Sequence, residues 1–294
     1  MTTLASRLAF TGETMFPPCP PLLLESVGNR EVDAGETSRF PRTPSTGPLR
    51  GQGASRLPHA PPRSSPDRGR LMSRVLVIAA HPDDEVLGMG GTIAVHADRG
   101  DEVRIVVVTD GSSTQYPGDA ETRARKEDEA VRAAAELGVA DYAHLDLPDM
   151  RLDTLAHVDV NKVVEEHIGD FAPAIVYTPQ PDVNRDHRVL FDSVAVATRP
   201  TPEQSVRRLL TYAPTSSTEW TPAAVNWFVP NWFVDVTATL ERKVAAFAHF
   251  ETERRDYPHP RSERAIRAAA SFYGASCGCE YAEPFVLVRG LERS

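Results

Sequence analysis

The chain has 294 residues, 41% of them hydrophobic, enough to bury one sizeable core or two. Its net charge of −9 argues against a nucleic-acid binder, since phosphate contacts need a basic face. No apolar stretch approaches the ~20 residues of a membrane span, and three widely split cysteines give no disulfide framework and point to a reducing cytoplasm.

Residues 1–71 hold 11 of the 25 prolines, no lysine, and no helical or alternating apolar period. Such a stretch cannot bury enough surface to offset chain entropy, so it is expected to be disordered. Leu22-Leu23-Leu24 is too short for a signal-peptide core, and Glu25, Glu31, Asp33 and Glu36 count against a transit peptide. Met72-Ser73-Arg74 stands directly before the first strand and resembles a natural start. The alternative to a disordered extension is therefore a mis-assigned reading frame, with residues 72–294 as the working domain.

From Arg74 onward, apolar runs alternate with helical periods. Val75–Ala80 and Val103–Thr109 are continuous, β-branched runs, as expected of strands covered on both faces. Gly90–Arg99 is predicted as the first helix, and Glu121–Leu137 as the second, closed by Gly138. Tyr142–Leu145, Ala174–Thr178 and Arg208–Ala213 read as strands, with helices at Val158–Ile168 and Arg188–Thr198. Two more helices, Leu240–Glu253 and Ser262–Tyr273, precede a last strand near Phe285–Val288. This order predicts an α/β fold, a Rossmann-like, mostly parallel sheet with helices on both faces.

The chemistry concentrates at Ala80-His81-Pro82-Asp83-Asp84-Glu85, directly after the first strand. Ligands of open α/β sheets bind at that edge. Three carboxyls packed in one turn repel one another unless a cation is present, and with an imidazole beside them the motif reads as a metal site. His81 and Asp84 are close enough in sequence to reach one ion. A third ligand must come from elsewhere, and Asp182-Val183-Asn184-Arg185-Asp186-His187 stands at another strand's carboxyl end. Two His and one Asp with an open position form the ligand set of a catalytic zinc centre. Asp83 is then left as general base.

At these residues the chain resembles the PIG-L/LmbE family of zinc-dependent de-N-acetylases, over about residues 73–290. Ala80–Glu85 matches the family's leading motif and Asp186-His187 its second. His259-Pro260-Arg261-Ser262 and Tyr281-Ala282-Glu283-Pro284-Phe285 are weaker landmarks. The resemblance implies a metal-dependent amidohydrolase that removes an acetyl group from an N-acetylglucosamine-type sugar. It implies His81, Asp84 and His187 as ligands of zinc or iron(II), Asp83 as base, and Asp186 orienting a ligand imidazole. Several members carry histidine where this chain has Asn184, which can donate to an oxyanion but cannot shuttle a proton. The acid role then falls on Asp83, or on a residue such as His259. Asp110, Arg125 and Asp149 are the candidate substrate contacts. The implied partner is a small amino-sugar, with no nucleic acid and no membrane span; a homo-oligomer stays open.

Other readings stand beside this one. Gly88-Met89-Gly90-Gly91 with Asp110 could mark a nucleotide-binding module, but the spacing is not G-x-G-x-x-G and three acids occupy the phosphate turn. A non-catalytic homologue, or a hydrolase of another amide such as a thiol conjugate or acylated secondary-metabolite intermediate, shares the same residues. Cys277-Gly278-Cys279 is too close-spaced for a zinc knuckle. Trp220, Trp227 and Trp232 read as loop residues that line a sugar pocket or pack on the sheet. Arg254, Arg255, Arg261, Arg264 and Arg267 read as a solvated face, and His96, His144, His157, His167 and His249 as filler.

Overall fold

The computed structural model describes residues 72–224 and 226–292; the expectations for residues 1–71 lie outside them. Seven strands form one sheet in the order β3-β2-β1-β4-β5-β7-β6. The runs β1 (Arg74–Ala79), β2 (Glu102–Thr109), β3 (Asp141–Leu147), β4 (Ile175–Pro179) and β5 (Arg208–Tyr212) pair in parallel. β7 (Ala282–Gly290) runs antiparallel between β5 and β6 (Trp232–Asp235). The chain leaves β1 for β2 on one side and returns to β4 on the other. The switch point therefore falls between the carboxyl ends of β1 and β4, where a crevice opens.

The apolar runs are continuous because both faces of the sheet are covered. Val75, Val77 and Ala79 point into a core shared with α1 (Asp84–Asp98), α2 (Ala120–Glu136), α5 (Leu240–Ala248) and α6 (Glu263–Cys277). Leu76, Ile78 and Ala80 point the other way, toward α3 (His157–Phe171) and α4 (Arg185–Ala197). Each such buried Val, Leu or Ile contributes about 1.5–3 kcal/mol. Among the described residues no helix is long and apolar enough to cross a membrane.

Four differences from the expected elements have physical causes. α1 begins at Asp84, six residues early, and breaks at Met89 (φ −151°, ψ 22°). The predicted start at Gly90 matches the second segment. Its freed Gly91 and Thr92 N–H groups donate to the Glu283 carboxylate at 3.0 and 2.6 Å, and Lys243 neutralises that acid at 2.6 Å. β6 was not expected: Trp232 belongs to a four-residue edge strand held by pairing with β7, too short to show alternation. α5 stops at Ala248, and the acids expected in its last turn turn away into a loop. α6 continues to Cys277, where Gly278 (φ 81°) closes it. The thiols of Cys277 and Cys279 are free and lie 3.4 Å apart.

The glycines that suggested a phosphate turn are packing contacts. A Cβ on Gly88 would lie 2.3 Å from the Tyr212 ring, and one on Gly91 2.8 Å from Val236. Tyr212 is fully buried and donates to the Ile78 carbonyl at 3.0 Å, so its ring has nowhere to move. Gly88→Ala is expected to cost about 1–3 kcal/mol of stability. Urea denaturation checks this; an unchanged midpoint would show that the ring yields freely.

Candidate metal centre and active site

The turn after β1 is built to present side chains. Asp83 takes φ 123°, a backbone conformation that residues with a Cβ rarely adopt. Its carbonyl accepts the first helical bond of α1, from Leu87 N at 2.8 Å, while its own N–H faces Glu85 Oε2 at 3.4 Å. Strain of this kind, of order 1–3 kcal/mol, persists where neighbours over-determine the geometry. Here it turns Asp83 and Asp84, adjacent in sequence, to different tasks.

Asp84 Oδ2 accepts the His81 N–H at 2.9 Å and lies between two imidazoles, 3.2 Å from His81 Nδ1 and 3.2 Å from His187 Nε2. One ligand atom from each of these three residues falls within 4.8 Å of the others. The far nitrogen of each ring meets another carboxylate. His81 Nε2 is 3.2 Å from Asp186 Oδ2, and His187 Nδ1 is 2.9 Å from Asp182 Oδ1. Two imidazoles and a carboxylate, each ring steadied from behind, fit a divalent transition metal. Asp186 also accepts the Leu152 N–H at 3.0 Å, and Asp182 accepts the Thr218 hydroxyl at 2.9 Å.

The electrostatics agree. Burial alone would push both imidazoles toward neutrality, yet the Asp84 charge and the carboxylates behind them win. His187 rises to about 9 and His81 well above its ordinary value. Burial would raise Asp84 as well, and the two rings hold it far below the usual carboxylate range. The cluster thus demands positive charge where Asp84 meets the rings. Asp83 behaves differently: burial lifts it, Arg261 pulls it back, and it sits at about 7. Glu85, buried and crowded by Asp83 and Asp84, is pushed to about 8.

The remaining candidates divide. Asp149 reaches the cluster: its Oδ1 lies 3.7 Å from His81 Nε2, and its buried Oδ2 has no hydrogen-bond partner among the described residues. Asn184 caps α4, its Oδ1 accepting the Asp186 N–H at 2.9 Å, while among the described residues its Nδ2 meets only the weak acceptor Met150 Sδ at 3.6 Å. Asp110 Oδ1 is taken by the Ser112 and Ser113 N–H groups at 2.9 and 2.8 Å, so it shapes its own turn. Arg125 is not brought in: it lies exposed on α2, where the charges it meets are Glu129 and Asp119. His259 faces Trp220 edge-on at 5.7 Å and accepts the Arg261 N–H at 3.1 Å. Burial and the nearby Arg261 and Arg255 hold it below its ordinary value.

Arg261 corrects the solvated-face reading. It leaves the exposed Arg254, Arg255 and Arg264 and places Nη1 3.1 Å from Asp83 Oδ2. The motif around His259 was the signal; the residue that reaches the site stands two places on. Asp182, the first residue of the candidate stretch after β4, has no role assigned to it from the sequence and is found behind the His187 ring. Trp220 and Trp227 are both exposed, and Trp227 helps line a cavity of about 640 Å³ with Leu87, Thr218, Phe228, Pro260 and Tyr273. His96, read as filler, is buried between Asp101 and Tyr177 at 2.7 and 3.1 Å.

Residues 76–198 match the family described as PIG-L, GlcNAc-PI de-N-acetylase. The chain is 30% identical over 234 residues to the diacetylchitobiose deacetylase of Thermococcus kodakarensis, covering 75% of this chain and 85% of that protein. A conserved protein of Thermus thermophilus superposes with a TM-score of 0.62 at 26% identity, covering 76% of this chain and 98% of that one. The N,N'-diacetylchitobiose deacetylase of Pyrococcus horikoshii, solved with an inhibitor, gives 0.61 at 26% identity, covering 74% and 84%.

Two substitutions probe the triad. His187→Ala is expected to abolish tight binding of a divalent ion. Asp182→Asn, which keeps every donor but loosens the ring, is expected to weaken it about 10–100-fold. Calorimetric titration with zinc checks both, and unchanged affinity in His187→Ala would remove that residue from the ligand set.

Proposed function

Because the chain belongs to the PIG-L family of de-N-acetylases, we propose that it hydrolyses the acetamide of an N-acetylglucosamine-type sugar, with His81, Asp84 and His187 holding the metal. The observation that carries this reading is the pairing of a His-Asp-His set, with Asp84 and His187 buried and His81 partly so, with a second, adjacent carboxyl, Asp83, held apart from both rings. Zinc suits the donor set, and iron(II) could fill the same ligands. When bound, the metal polarises the substrate carbonyl and lowers the pKa of a water to about 7.

The chain's own groups supply the proton traffic. Arg261 engages Asp83 Oδ2, and we assign proton transfer to Oδ1. Asp83 takes a proton from the attacking water as its oxygen bonds to the acetamide carbon. When the carbon–nitrogen bond breaks, Asp83 returns that proton to the departing nitrogen. Acetate and the free amino sugar leave, and Asp83 regains its starting state. A carboxyl poised at about 7 suits both directions of transfer.

The other groups set the environment. Asn184 Nδ2, with only a thioether as partner, is a donor to spare for the developing oxyanion. Asp149 presents a buried, unpartnered oxygen beside His81, suited to a sugar hydroxyl. Asp182 and Asp186 hold the two rings in place from behind. The cavity lined by Trp227, Phe228 and Tyr273 also holds Thr218, which donates to Asp182, and we assign it to the rest of the substrate.

Asp83→Asn separates catalysis from metal binding, since Asp83 touches neither ring. It is expected to lower kcat by about 10²–10⁴ with metal content unchanged. Amine release from N-acetylated glucosamine derivatives, with and without chelator, gives the rate; elemental analysis gives the metal. Near-wild-type turnover in Asp83→Asn would remove this mechanism. Chelator-sensitive release from a different amide alone would keep the mechanism and replace the sugar.

A further inference from the structure

We propose that Arg261 is a positioning residue for Asp83, supported from behind by Glu253 and Lys126; the proposal rests on the deacetylase reading above. The chain of contacts is continuous. Arg261 Nη1 forms an ion pair with Asp83 Oδ2 at 3.1 Å and donates a hydrogen bond to Glu253 Oε2. Lys126 Nζ donates to Glu253 Oε1 at 2.7 Å. Arg261 Nε donates to Ser216 Oγ at 2.7 Å. Two separate acids and a hydroxyl therefore fix the guanidinium plane.

The parts come from four places in the fold. Asp83 stands at the end of β1, Lys126 on α2, Glu253 in the loop after α5, and Arg261 just before α6. Arg261 is rigidly placed, because Ser262 caps α6 by accepting the Ala265 N–H at 3.2 Å. Only three lysines occur among the 32 basic residues, and Lys126 is one of two that are buried against a glutamate. Its side chain is 8% exposed, which does not fit a lysine kept for solubility.

Two other roles for Arg261 fit less well. A solvated surface arginine would not be engaged on Asp83, Glu253 and Ser216 at once. A guanidinium kept for substrate would not be committed at Nε and Nη1 to protein groups, which leaves Nη2 alone for a ligand. What the contacts do is hold one oxygen of Asp83 and so aim the other. A planar fork does this better than an ammonium, which offers no fixed direction. Otherwise it is the Asp83 backbone that is held, by its unusual φ and by the N–H donated to Glu85 Oε2, and Asp84 stands next to it as a like charge.

The test uses the metal-loaded full chain and N-acetylated glucosamine derivatives. Arg261→Ala is expected to lower kcat about 100-fold with KM within about twofold, and with metal content and melting temperature retained. Added guanidinium ion is expected to restore part of the loss, and Arg261→Lys to fall between. Lys126→Met is expected to lower kcat about 10-fold without adding to Arg261→Ala, since both act through one contact. The exposed Arg264→Ala serves as the control with wild-type kcat.

Wild-type kcat in Arg261→Ala, or a loss borne wholly by KM, overturns the proposal. So does a loss that guanidinium and Arg261→Lys both fail to relieve. Should Arg261→Ala not fold, Arg261→Lys and Lys126→Met decide, and wild-type kcat in both overturns it. A crystal structure of Arg261→Lys or Lys126→Met gives a readout free of the assigned substrate. Asp83 unmoved there overturns the proposal even if no derivative is turned over; inactivity of the wild type on every derivative counts against the deacetylase reading alone.

Discussion

Six carboxyl groups, Asp83, Asp84, Glu85, Asp149, Asp182 and Asp186, are buried around the carboxyl ends of β1 and β4. At an effective dielectric near 20, two unit charges 4 Å apart interact by about 4 kcal/mol. Such a cluster persists only if each acid is paired, protonated or offset by a cation. The structure uses all three. Asp84, Asp182 and Asp186 sit against imidazoles, Glu85 is pushed toward its neutral form, and Asp83 is offset by Arg261. The rings themselves gain protons where a divalent ion would supply charge instead.

That constraint organises the fold around it. The sheet places β1 and β4 side by side, so that the loops carrying His81 and His187 meet. α1 begins on Asp84 itself and α4 just before Asp186, which puts acids at the positive ends of both helices. Behind α1, the break at Met89 is sealed by Glu283 and Lys243, and Gly88 lets the helix descend onto Tyr212. The last third of the chain reaches the centre through Arg261 and Glu253. A sheet edge formed from β1 to β4 alone would carry the candidate metal triad but leave Asp83 without its guanidinium.

Much of this was legible in the sequence where it is local. Apolar runs found five parallel strands to within a few residues, because strands covered on both faces need no alternation. His81, Asp83 and Asp84 could be read together because one strand-to-helix turn carries them all. His187 followed from its place after a second strand. The rest depended on tertiary contact. β6 exists only through its pairing with β7, and the start of α1 hides behind a turn that looks like a loop. Arg261 stood among arginines of similar surroundings in sequence, and only the path of the loop after α5 separates it from them. Arg125 is the converse case: it shares a helix with Lys126, and one residue's rotation turns it to solvent.

The separation of Asp83 from Asp84 is where these strands of argument meet. The two residues are identical in type and adjacent in sequence, yet burial and neighbours send their acidities in opposite directions, Asp83 to about 7 and Asp84 far below its usual range. The unusual φ of Asp83 turns the first carboxyl away from the imidazoles that claim the second. Arg261 then tempers the first without neutralising it, since Glu253 draws on the same nitrogen. In the proposed mechanism the ligand must stay ionised at working pH, and the base must be able to take and return a proton. One dipeptide suits both proposed roles because the backbone divides it between two environments.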